Sequence, residues 1–378
     1  MKDDAYFMAR AITLAYKGAG RVNPNPMVGA VLVKDGRIIS EGYHRAFGEF
    51  HAERNCLLNC TQDTDGAVLY VTLEPCCHYG KTPPCTEIII EKGIKKVVVG
   101  AMDPNPLVAG KGVEILRNHG ITVVTGVLEK ECREQNRIFF HYITTGKPFV
   151  TLKYAMTMDG RIATWSGKSK WITGEAARRQ VHMDRNLFSA IMTGRGTIEA
   201  DDPLLTCRIP EGRNPLRILC DTKLRIPFDA QVIKTAGTVP TVIATCQKDA
   251  SCYSPYEARG VQVIYVPFDG QGHVDLNILM EKLGKMKIDS ILLEGGSSLA
   301  WSALKAGIVS RVQAYIAPKI FGGRCAPGPV GGKGVECPEE GFMLKPVKIQ
   351  SLGGDFLIES EVCPCLQESL KKPDGSGG

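Results

Sequence analysis

Four residues in the first quarter of the chain, His51, Glu53, Cys76 and Cys85, have the types and spacing of a catalytic zinc site. One imidazole and two thiolates can hold zinc while its fourth coordination position stays open for water. Zinc lowers the pKa of that water toward neutrality, so hydroxide becomes available near pH 7. The sequence therefore predicts His51, Cys76 and Cys85 as zinc ligands.

Glu53 follows His51 by two residues and is not needed as a ligand. In the H-x-E…P-C-x-x-C signature of zinc deaminases, a carboxylate at this position moves protons from the water to the departing amine. Glu53 is therefore the predicted catalytic residue for deamination of a nucleobase-like ring. The chain departs from the signature because eight residues separate Cys76 from Cys85. A purely structural zinc site is disfavoured, since it would need a fourth protein ligand.

Several polar residues near these motifs have no packing role that the sequence indicates. Asp103 and Asn105 follow a predicted strand, which is the usual place for ligand contacts in α/β sheets. The predicted substrate-binding residues of this half are Asn25, His44, His78, Lys81, Asp103 and Asn105.

Local sequence patterns predict the elements that position these residues. A helix follows Asp3-Asp4, a second begins at His51, and Cys85 lies at the start of a third, where the helix dipole favours a thiolate. Apolar runs predict strands over 27–33, 37–43, 68–73 and 96–101. Beyond residue 148, strands alternate with helices, as in an α/β domain with a mostly parallel sheet. The strands predicted there cover 149–155, 190–193, 216–221, 241–245, 261–266, 288–293, 311–316 and 356–361.

Length and composition indicate two domains. A chain of 378 residues is long for one domain, and Thr144-Thr145-Gly146-Lys147-Pro148 has the composition of a junction. We predict a first domain over 1–146, a second over 147–366 and a flexible tail over 367–378. Lys and Arg number 17 against 16 Asp and Glu in residues 1–146. Nucleic-acid-binding domains usually carry a basic stripe, so this balance favours a small-molecule substrate and no nucleic acid.

Cysteine usage predicts the compartment. The chain has 14 cysteines, but its charged N-terminus does not resemble a signal peptide. No apolar run approaches the length of a membrane span. We therefore expect a cytoplasmic protein with reduced thiols and no membrane partner.

Two glycine-containing turns in the second half, Thr193–Thr197 and Glu294–Ser298, join predicted strands to helices. Glycines and free backbone N–H groups at a helix start let a phosphate approach closely. Neither turn matches a G-x-G-x-x-G motif or a P-loop. Their presence in one domain predicts a cofactor that carries phosphate.

With these motifs, the chain resembles the bifunctional deaminase–reductase family of riboflavin biosynthesis over nearly its whole length. The resemblance rests on Asn23–Gly29, His51–Glu53 and Pro75–Cys85 in the first half. In the second half it rests on Lys153-Tyr154-Ala155, Gly194–Thr197 and Glu294–Gly296. It implies a cytidine-deaminase-like α/β/α domain followed by a dihydrofolate-reductase-like α/β domain.

The resemblance also implies two consecutive reactions and their cofactors, Zn²⁺ and NADPH. The 2-amino group of 2,5-diamino-6-(5-phosphoribosylamino)pyrimidin-4-one would be hydrolysed, and the ribosyl chain would then be reduced to a ribityl chain. The implied cofactor contacts are Ala155, Trp171, Thr197, Asp201, Gly296, Ser297 and Ser298. The implied substrate contacts are Lys153, Ser169, Arg185, Leu205, Arg208 and Glu294, with the two arginines suited to phosphate. A homo-oligomer is also expected.

Thr222 and Lys223 are candidates for cofactor selection. They follow the strand predicted over 216–221, whose end lies near the adenosine ribose in dihydrofolate-reductase-like folds. A hydroxyl and an ammonium there would bind the 2′-phosphate that distinguishes NADPH from NADH. The alternative is an ordinary solvated turn.

Two other functions share some of these sequence features. A cytidine, deoxycytidylate or tRNA-adenosine deaminase fused to an unrelated domain is disfavoured by the near-neutral first half and the long Cys76–Cys85 spacing. A non-catalytic regulator that binds a metabolite is disfavoured because Glu53 and both cysteines are intact.

Overall fold

The structure is a computed structural model that describes residues 3–80, 82–106 and 108–363. The chain forms two compact units, Met1–Gly146 and Lys147–Gly378. Each unit has its own sheet and its own hydrophobic core. Lys81 and the predicted tail over 367–378 lie outside the described residues.

Unit 1 is a five-stranded sheet, over the residues described, with helices packed against it. The strand order is β2-β1-β3-β4-β5, in which β1 runs antiparallel to β2 and β3, and β3, β4 and β5 are parallel. The elements are α1 Asp4–Ala15, β1 Gly29–Lys34, β2 Arg37–Tyr43, α2 Ala52–Leu58, β3 Val68–Leu73, α3 Cys85–Glu91, β4 Lys96–Ala101, α4 Lys111–Asn118, β5 Thr122–Thr125, α5 Glu129–Gln135 and α6 Arg137–Thr145.

Local chemistry explains the start of α1 and the burial of the central strands. Asp3 caps α1 by accepting a hydrogen bond from the Tyr6 backbone N–H at 2.9 Å. Phe7, Met8 and Ala11 of this helix are buried in the core. The central strands are apolar along their length because both faces are covered, as in parallel sheets generally.

Unit 2 is built on a nine-stranded sheet within its described part, in the order β10-β9-β8-β7-β11-β6-β12-β14-β13. The strands from β10 to β12 are parallel, and β14 and β13 close the sheet antiparallel. The elements are β6 Phe149–Thr157, α7 Glu175–Leu187, β7 Ala190–Gly194, α8 Arg195–Asp201, β8 Leu216–Cys220, α9 Gln231–Lys234, β9 Thr241–Thr245, α10 Ser254–Glu257, β10 Val261–Tyr265, α11 Leu276–Lys285, β11 Ser290–Leu293, α12 Ser297–Lys305, β12 Val309–Ala317, β13 Leu344–Leu352 and β14 Asp355–Val362.

Every strand predicted from the sequence is present, with bounds that differ by at most two residues. The sequence did not predict β13, which lies at the sheet edge, is mostly exposed and contains Pro346. An edge strand needs no buried face and tolerates proline, so its pattern does not alternate. Its pairing with β14 keeps it extended.

Parallel strands place their carboxyl ends at one edge of a sheet, where ligands bind in open α/β folds. In unit 2 the segments after β7, β8 and β11 therefore lie together. Among the described residues, no helix is long and apolar enough to cross a membrane.

Candidate functional site

His51, Cys76 and Cys85 form a cluster in unit 1 whose ligand atoms all lie within 4.8 Å of one another. His51 is the N-cap of α2, Cys76 follows the end of β3, and Cys85 is the first residue of α3. The His51 Nδ1 atom is 3.4 Å from Cys76 Sγ and 3.6 Å from Cys85 Sγ. Zinc bond lengths of about 2.0–2.3 Å give tetrahedral ligand–ligand edges of roughly 3.5 Å, so the cluster fits zinc as it stands.

The groups around Cys76 favour the deprotonated, thiolate form of its side chain. The pKa of Cys76 is lowered to about 4 because Cys85 and His51 make hydrogen bonds with its sulfur. The backbone N–H of Cys85 also donates to Cys76 Sγ at 3.3 Å. Cysteine ligands must be deprotonated to bind a metal, so this arrangement assists binding. The neighbouring Cys77 is not part of the cluster.

Glu53 is buried beside this cluster, with 3% of its surface exposed, in the first turn of α2. Burial, followed by the negative charge of Cys76, raises the pKa of Glu53 to about 7. Its carboxyl group accepts a hydrogen bond from the Cys85 thiol and is not one of the clustered ligands. A carboxyl group with a pKa near 7 can both take up and release a proton at neutral pH.

His44 orients the side chain of Asn25. The ring of His44 is buried, which lowers its pKa, so the ring is neutral. Its Nδ1 lies 3.1 Å from the Phe50 carbonyl oxygen, which can only accept, so Nδ1 carries the proton. Its Nε2 then accepts from Asn25 Nδ2 at 3.3 Å. Asn25 Oδ1 is therefore the acceptor atom that this amide presents.

Asp103 is a further buried polar group in unit 1. Burial raises its pKa to about 6, and the charges of Glu74 and Cys76 add to the rise, whereas His78 opposes it. Asp103 Oδ1 accepts from the Asn105 backbone N–H at 2.8 Å, so these two residues share one loop. The structure thus brings Asp103 close to Cys76 and His78. Lys81 lies outside the described residues.

In unit 2 a cavity of about 1280 Å³ lies at the carboxyl ends of the strands. Both glycine-containing turns line it, and so do Thr222 and Lys223. Of the predicted cofactor contacts, those lining the cavity are Thr197, Asp201, Thr222, Gly296, Ser297 and Ser298. Arg195 of the first turn also lines it, and sequence reasoning missed further cationic residues of its wall, which are Arg225, Lys305 and Lys333. No local motif marks these three, because the fold alone brings their segments together.

The other two predicted cofactor contacts, Ala155 and Trp171, are not among the residues that line this cavity. Ala155 lies within β6 and packs beside Tyr315. Trp171 is 62% exposed, so it is not a core residue, and the Arg178 guanidinium lies 4.7 Å from its ring centroid. Lys319 Nζ donates to the Trp171 carbonyl oxygen at 3.0 Å. An exposed, positioned indole is available to a ligand.

Glu294 is the centre of a buried charge cluster with Arg185 and Lys153. Arg185 Nε and Nη2 donate to the two Glu294 oxygens at 2.7 and 2.9 Å, and Lys153 Nζ lies 3.6 Å away. Burial alone would raise the pKa of Glu294, but Arg185 and Lys153 outweigh it and hold the pKa at about 2. Arg185 Nη1 also donates to the Thr206 carbonyl oxygen at 2.9 Å. Most of the hydrogen-bonding capacity of Arg185 is thus used within the protein, chiefly by Glu294.

The remaining predicted substrate contacts, Leu205, Ser169 and Arg208, differ in their exposure and in their hydrogen-bond partners. Leu205 is 4% exposed and its side chain packs in the core, so only its backbone can meet a ligand. Ser169 Oγ donates to Asp201 Oδ1 at 3.0 Å, which joins a predicted substrate contact to a predicted cofactor contact. Arg208 is exposed, and its backbone N–H donates to His182 Nδ1 at 3.3 Å.

The metal cluster of unit 1 and the phosphate-suited cavity of unit 2 define a bifunctional enzyme that joins a zinc-dependent deaminase to a reductase. Residues 1–101 match the cytidine and deoxycytidylate deaminase zinc-binding region, and residues 148–358 match the RibD C-terminal domain. The chain belongs to the RibD family of riboflavin biosynthesis proteins.

Similar proteins cover almost the whole chain. The riboflavin biosynthesis protein RibD of Actinobacillus pleuropneumoniae is 52% identical over 356 residues, which are 94% of both chains. That of Aquifex aeolicus is 43% identical and covers 94% of this chain and 97% of its own. A solved structure of the deaminase/reductase from Thermotoga maritima has a TM-score of 0.84 at 43% identity, covering 95% of this chain and 99% of that one.

These similarities confirm the predicted fold class and the predicted bifunctional deaminase and reductase of riboflavin biosynthesis. The match over 148–358 excludes the alternative of an unrelated second domain. The predicted zinc dependence is also confirmed, since the matched region is a zinc-binding one and the cluster fits the metal.

Proposed function

We propose that unit 1 hydrolyses the 2-amino group of 2,5-diamino-6-(5-phosphoribosylamino)pyrimidin-4-one. We also propose that unit 2 then reduces the ribosyl chain of the product with NADPH. The observation that carries the first step is the burial of Glu53 beside His51, Cys76 and Cys85. The observation that carries the second is the cavity lined by both glycine-containing turns.

In the deaminase unit, zinc held by His51, Cys76 and Cys85 supplies hydroxide at neutral pH. Hydroxide adds to the ring carbon that bears the amino group, and the carbon–nitrogen bond then breaks to release ammonia. Glu53 carries one proton of the water to the ring nitrogen and then carries the remaining hydroxyl proton to the leaving amine, so that ammonia departs and a carbonyl forms at the ring carbon. Its burial beside the three ligands places the carboxyl group within the site where these transfers occur.

In this unit, side-chain oxygen atoms orient the substrate by accepting hydrogen bonds from the N–H groups of the diaminopyrimidine. Asn25 presents Oδ1 because His44 engages its Nδ2. Asp103 lies near Cys76 and His78 and presents a carboxylate. The proposed substrate-binding residues are Asn25, His44, His78, Lys81, Asp103 and Asn105.

In the reductase unit, the backbone N–H groups at the start of α12 and the cavity cations suit the phosphates of NADPH. NADPH supplies a hydride to the sugar carbon attached to nitrogen. Lys153, in the middle of β6, and Glu294, which directly follows the neighbouring strand β11, hold the ribosyl group. Reduction also takes up a proton, for which the Lys153 ammonium beside Glu294 is an acid group. Arg208 binds the substrate phosphate, because its side chain is exposed whereas that of Arg185 is paired with Glu294.

Replacing Cys85 by serine is expected to abolish deamination and leave reduction intact. The variant loses one of three zinc ligands, whereas the reductase residues belong to the other unit. Zinc content measured by atomic absorption, together with product masses from each half-reaction, tests this expectation. Cys77→Ser is the matched control, because Cys77 lies outside the cluster, and it should keep its zinc. Loss of both activities in a folded Cys85→Ser protein would show that the two sites depend on each other.

Removing the Thr222 hydroxyl and the Lys223 ammonium near the predicted ribose site is expected to reduce the preference for NADPH over NADH. Thr222 and Lys223 line the cavity, and loss of a charge-assisted hydrogen bond changes affinity by roughly 10–100-fold. The ratio of kcat/KM for the two cofactors measures this change in Thr222→Ala/Lys223→Ala. Lys285→Ala, at the end of α11 and not among the residues lining the cavity, is the control. An unchanged ratio in the double variant would remove these residues from cofactor selection.

We also propose that the enzyme works in the cytoplasm as a homo-oligomer. Exposed apolar side chains along the outer strands β13 and β14, among them Ile349 at 67% exposure, support self-association. Sedimentation velocity of the purified protein tests the oligomeric state.

A further inference from the structure

Glu74, the residue that follows β3 and precedes Pro75-Cys76, has no role in the chemistry described above. Its side chain is buried, with 3% exposed. Oε2 accepts from the backbone N–H groups of Asp103 at 3.3 Å and Gly110 at 3.0 Å. Oε1 accepts from the Val113 backbone N–H at 3.2 Å. A buried carboxylate costs free energy unless it is paired or hydrogen-bonded, and here the donors come from backbone.

These donors belong to the segment that carries Asp103 and Asn105. Asp103 begins and Gly110 ends the segment before α4, of which residues 103–106 and 108–110 are described, and Val113 lies in the first turn of α4. The described residues are also bonded to one another: the N–H groups of Val108 and Ala109 donate to the Asn105 carbonyl oxygen at 2.8 and 2.9 Å. The segment is therefore tied at both ends to one carboxylate. Glu74 is the group that ties it.

A close backbone approach joins the same two segments. A Cβ atom at Gly112, in the first turn of α4, would collide with the carbonyl oxygen of Pro75. Helix α4 therefore lies directly on the residue that precedes the zinc ligand Cys76, and only glycine permits this contact. Both the hydrogen bonds of Glu74 and the close contact of Gly112 with Pro75 therefore join the start of α4 to the Cys76 segment.

We propose that Glu74 is a positioning residue of the deaminase, whose carboxylate holds Asp103 and the start of α4 against the Cys76 segment. This inference rests on the proposed substrate contacts of Asp103 and Asn105. Glu74 acts on substrate binding, because the zinc ligands keep their own hydrogen bonds between Cys85 and Cys76 without it. Loosening the loop therefore raises KM more than it lowers kcat.

The test is Glu74→Gln in the full-length, zinc-loaded protein. Glutamine has the same shape but replaces one acceptor oxygen with an NH₂ group, which would face a backbone donor. We expect KM for the diaminopyrimidine to rise about tenfold, with a smaller change in kcat and zinc still near one per chain. Hydrogen exchange at the amides of Asp103, Gly110 and Val113 should accelerate, while exchange in β4 stays unchanged. Unchanged KM or unchanged exchange at these amides would overturn the proposal.

Gly112→Ala tests the same interface with Glu74 kept in the chain, because its Cβ would collide with the Pro75 carbonyl oxygen. It should raise KM and accelerate exchange at Gly110 and Val113 in the same way, and failure to do so counts against the proposal. Asp3→Ala, which removes the side-chain cap of α1 in the same unit, is the control for general destabilisation and should leave KM unchanged. The exchange measurement needs no substrate. If the wild-type protein fails to deaminate the diaminopyrimidine, the proposed function fails, and exchange still decides whether Glu74 holds the loop.

Discussion

Replacing Glu53 by glutamine is expected to lower the rate of deamination by roughly 10²–10⁴-fold while zinc stays bound. Glutamine keeps the shape of the side chain and leaves His51, Cys76 and Cys85 in place. It cannot move a proton, however, and the ring nitrogen and the leaving amine both need one. The size of the loss therefore reports general acid–base catalysis and not metal binding.

Zinc content and ammonia release measured on the same preparation separate the two causes. Glu49→Gln, an exposed carboxylate in the loop before His51, is the control and should deaminate at the normal rate. Reduction of supplied deaminated substrate should be unaffected by either change. Near-normal deamination by a zinc-loaded Glu53→Gln protein would contradict the mechanism.

The second large effect is expected from Glu294→Gln in the reductase unit. Arg185 and Lys153 are largely buried, with side chains 12% and 15% exposed, and would lose the charge that compensates them. Removing one partner of a buried ion pair costs about 3–5 kcal/mol in the free energy of unfolding. We expect a loss of that order, measured by urea denaturation, together with loss of reduction and retention of deamination.

The pH dependence provides an independent check on the same residue. The pKa of Glu294 falls from an ordinary 4.5 to about 2 in the folded protein. A carboxyl group with a lowered pKa contributes stability that is present above its unfolded pKa and is lost as the pH falls toward the folded value. The wild-type unit should therefore lose this contribution between about pH 4.5 and 2, whereas Glu294→Gln should show no loss from this source.

Glu361→Gln is the comparison for both measurements. Its carboxylate is 51% exposed and contacts Arg311 in the same sheet. Exposed ion pairs contribute at most about 1 kcal/mol, so this variant should unfold at nearly the wild-type urea concentration. An equal loss from the two variants would show that the buried cluster has no special part in stability.

The sequence by itself was sufficient to predict a zinc-dependent deaminase and most of the strands. His51, Glu53, Cys76 and Cys85 were predicted as its site from residue type and spacing, because zinc ligation and proton transfer each demand particular side chains. The structure brings the three predicted ligands together. The central strands were predicted because burial on both faces leaves a continuous apolar run in the chain. Both glycine-containing turns were found because phosphate approach depends on local backbone geometry. These signals are all local.

Tertiary structure alone decided how distant groups are paired. The backbone donors to Glu74 lie 29, 36 and 39 residues beyond it, and Arg185 is 109 residues from Glu294. The sequence suggested Arg185 as a phosphate ligand, whereas the fold places it against a buried carboxylate. Leu205 was predicted to hold substrate, but its side chain points into the core. Periodicity and motif spacing describe neighbours along the chain, and partners this far apart are set by how the sheets and helices pack.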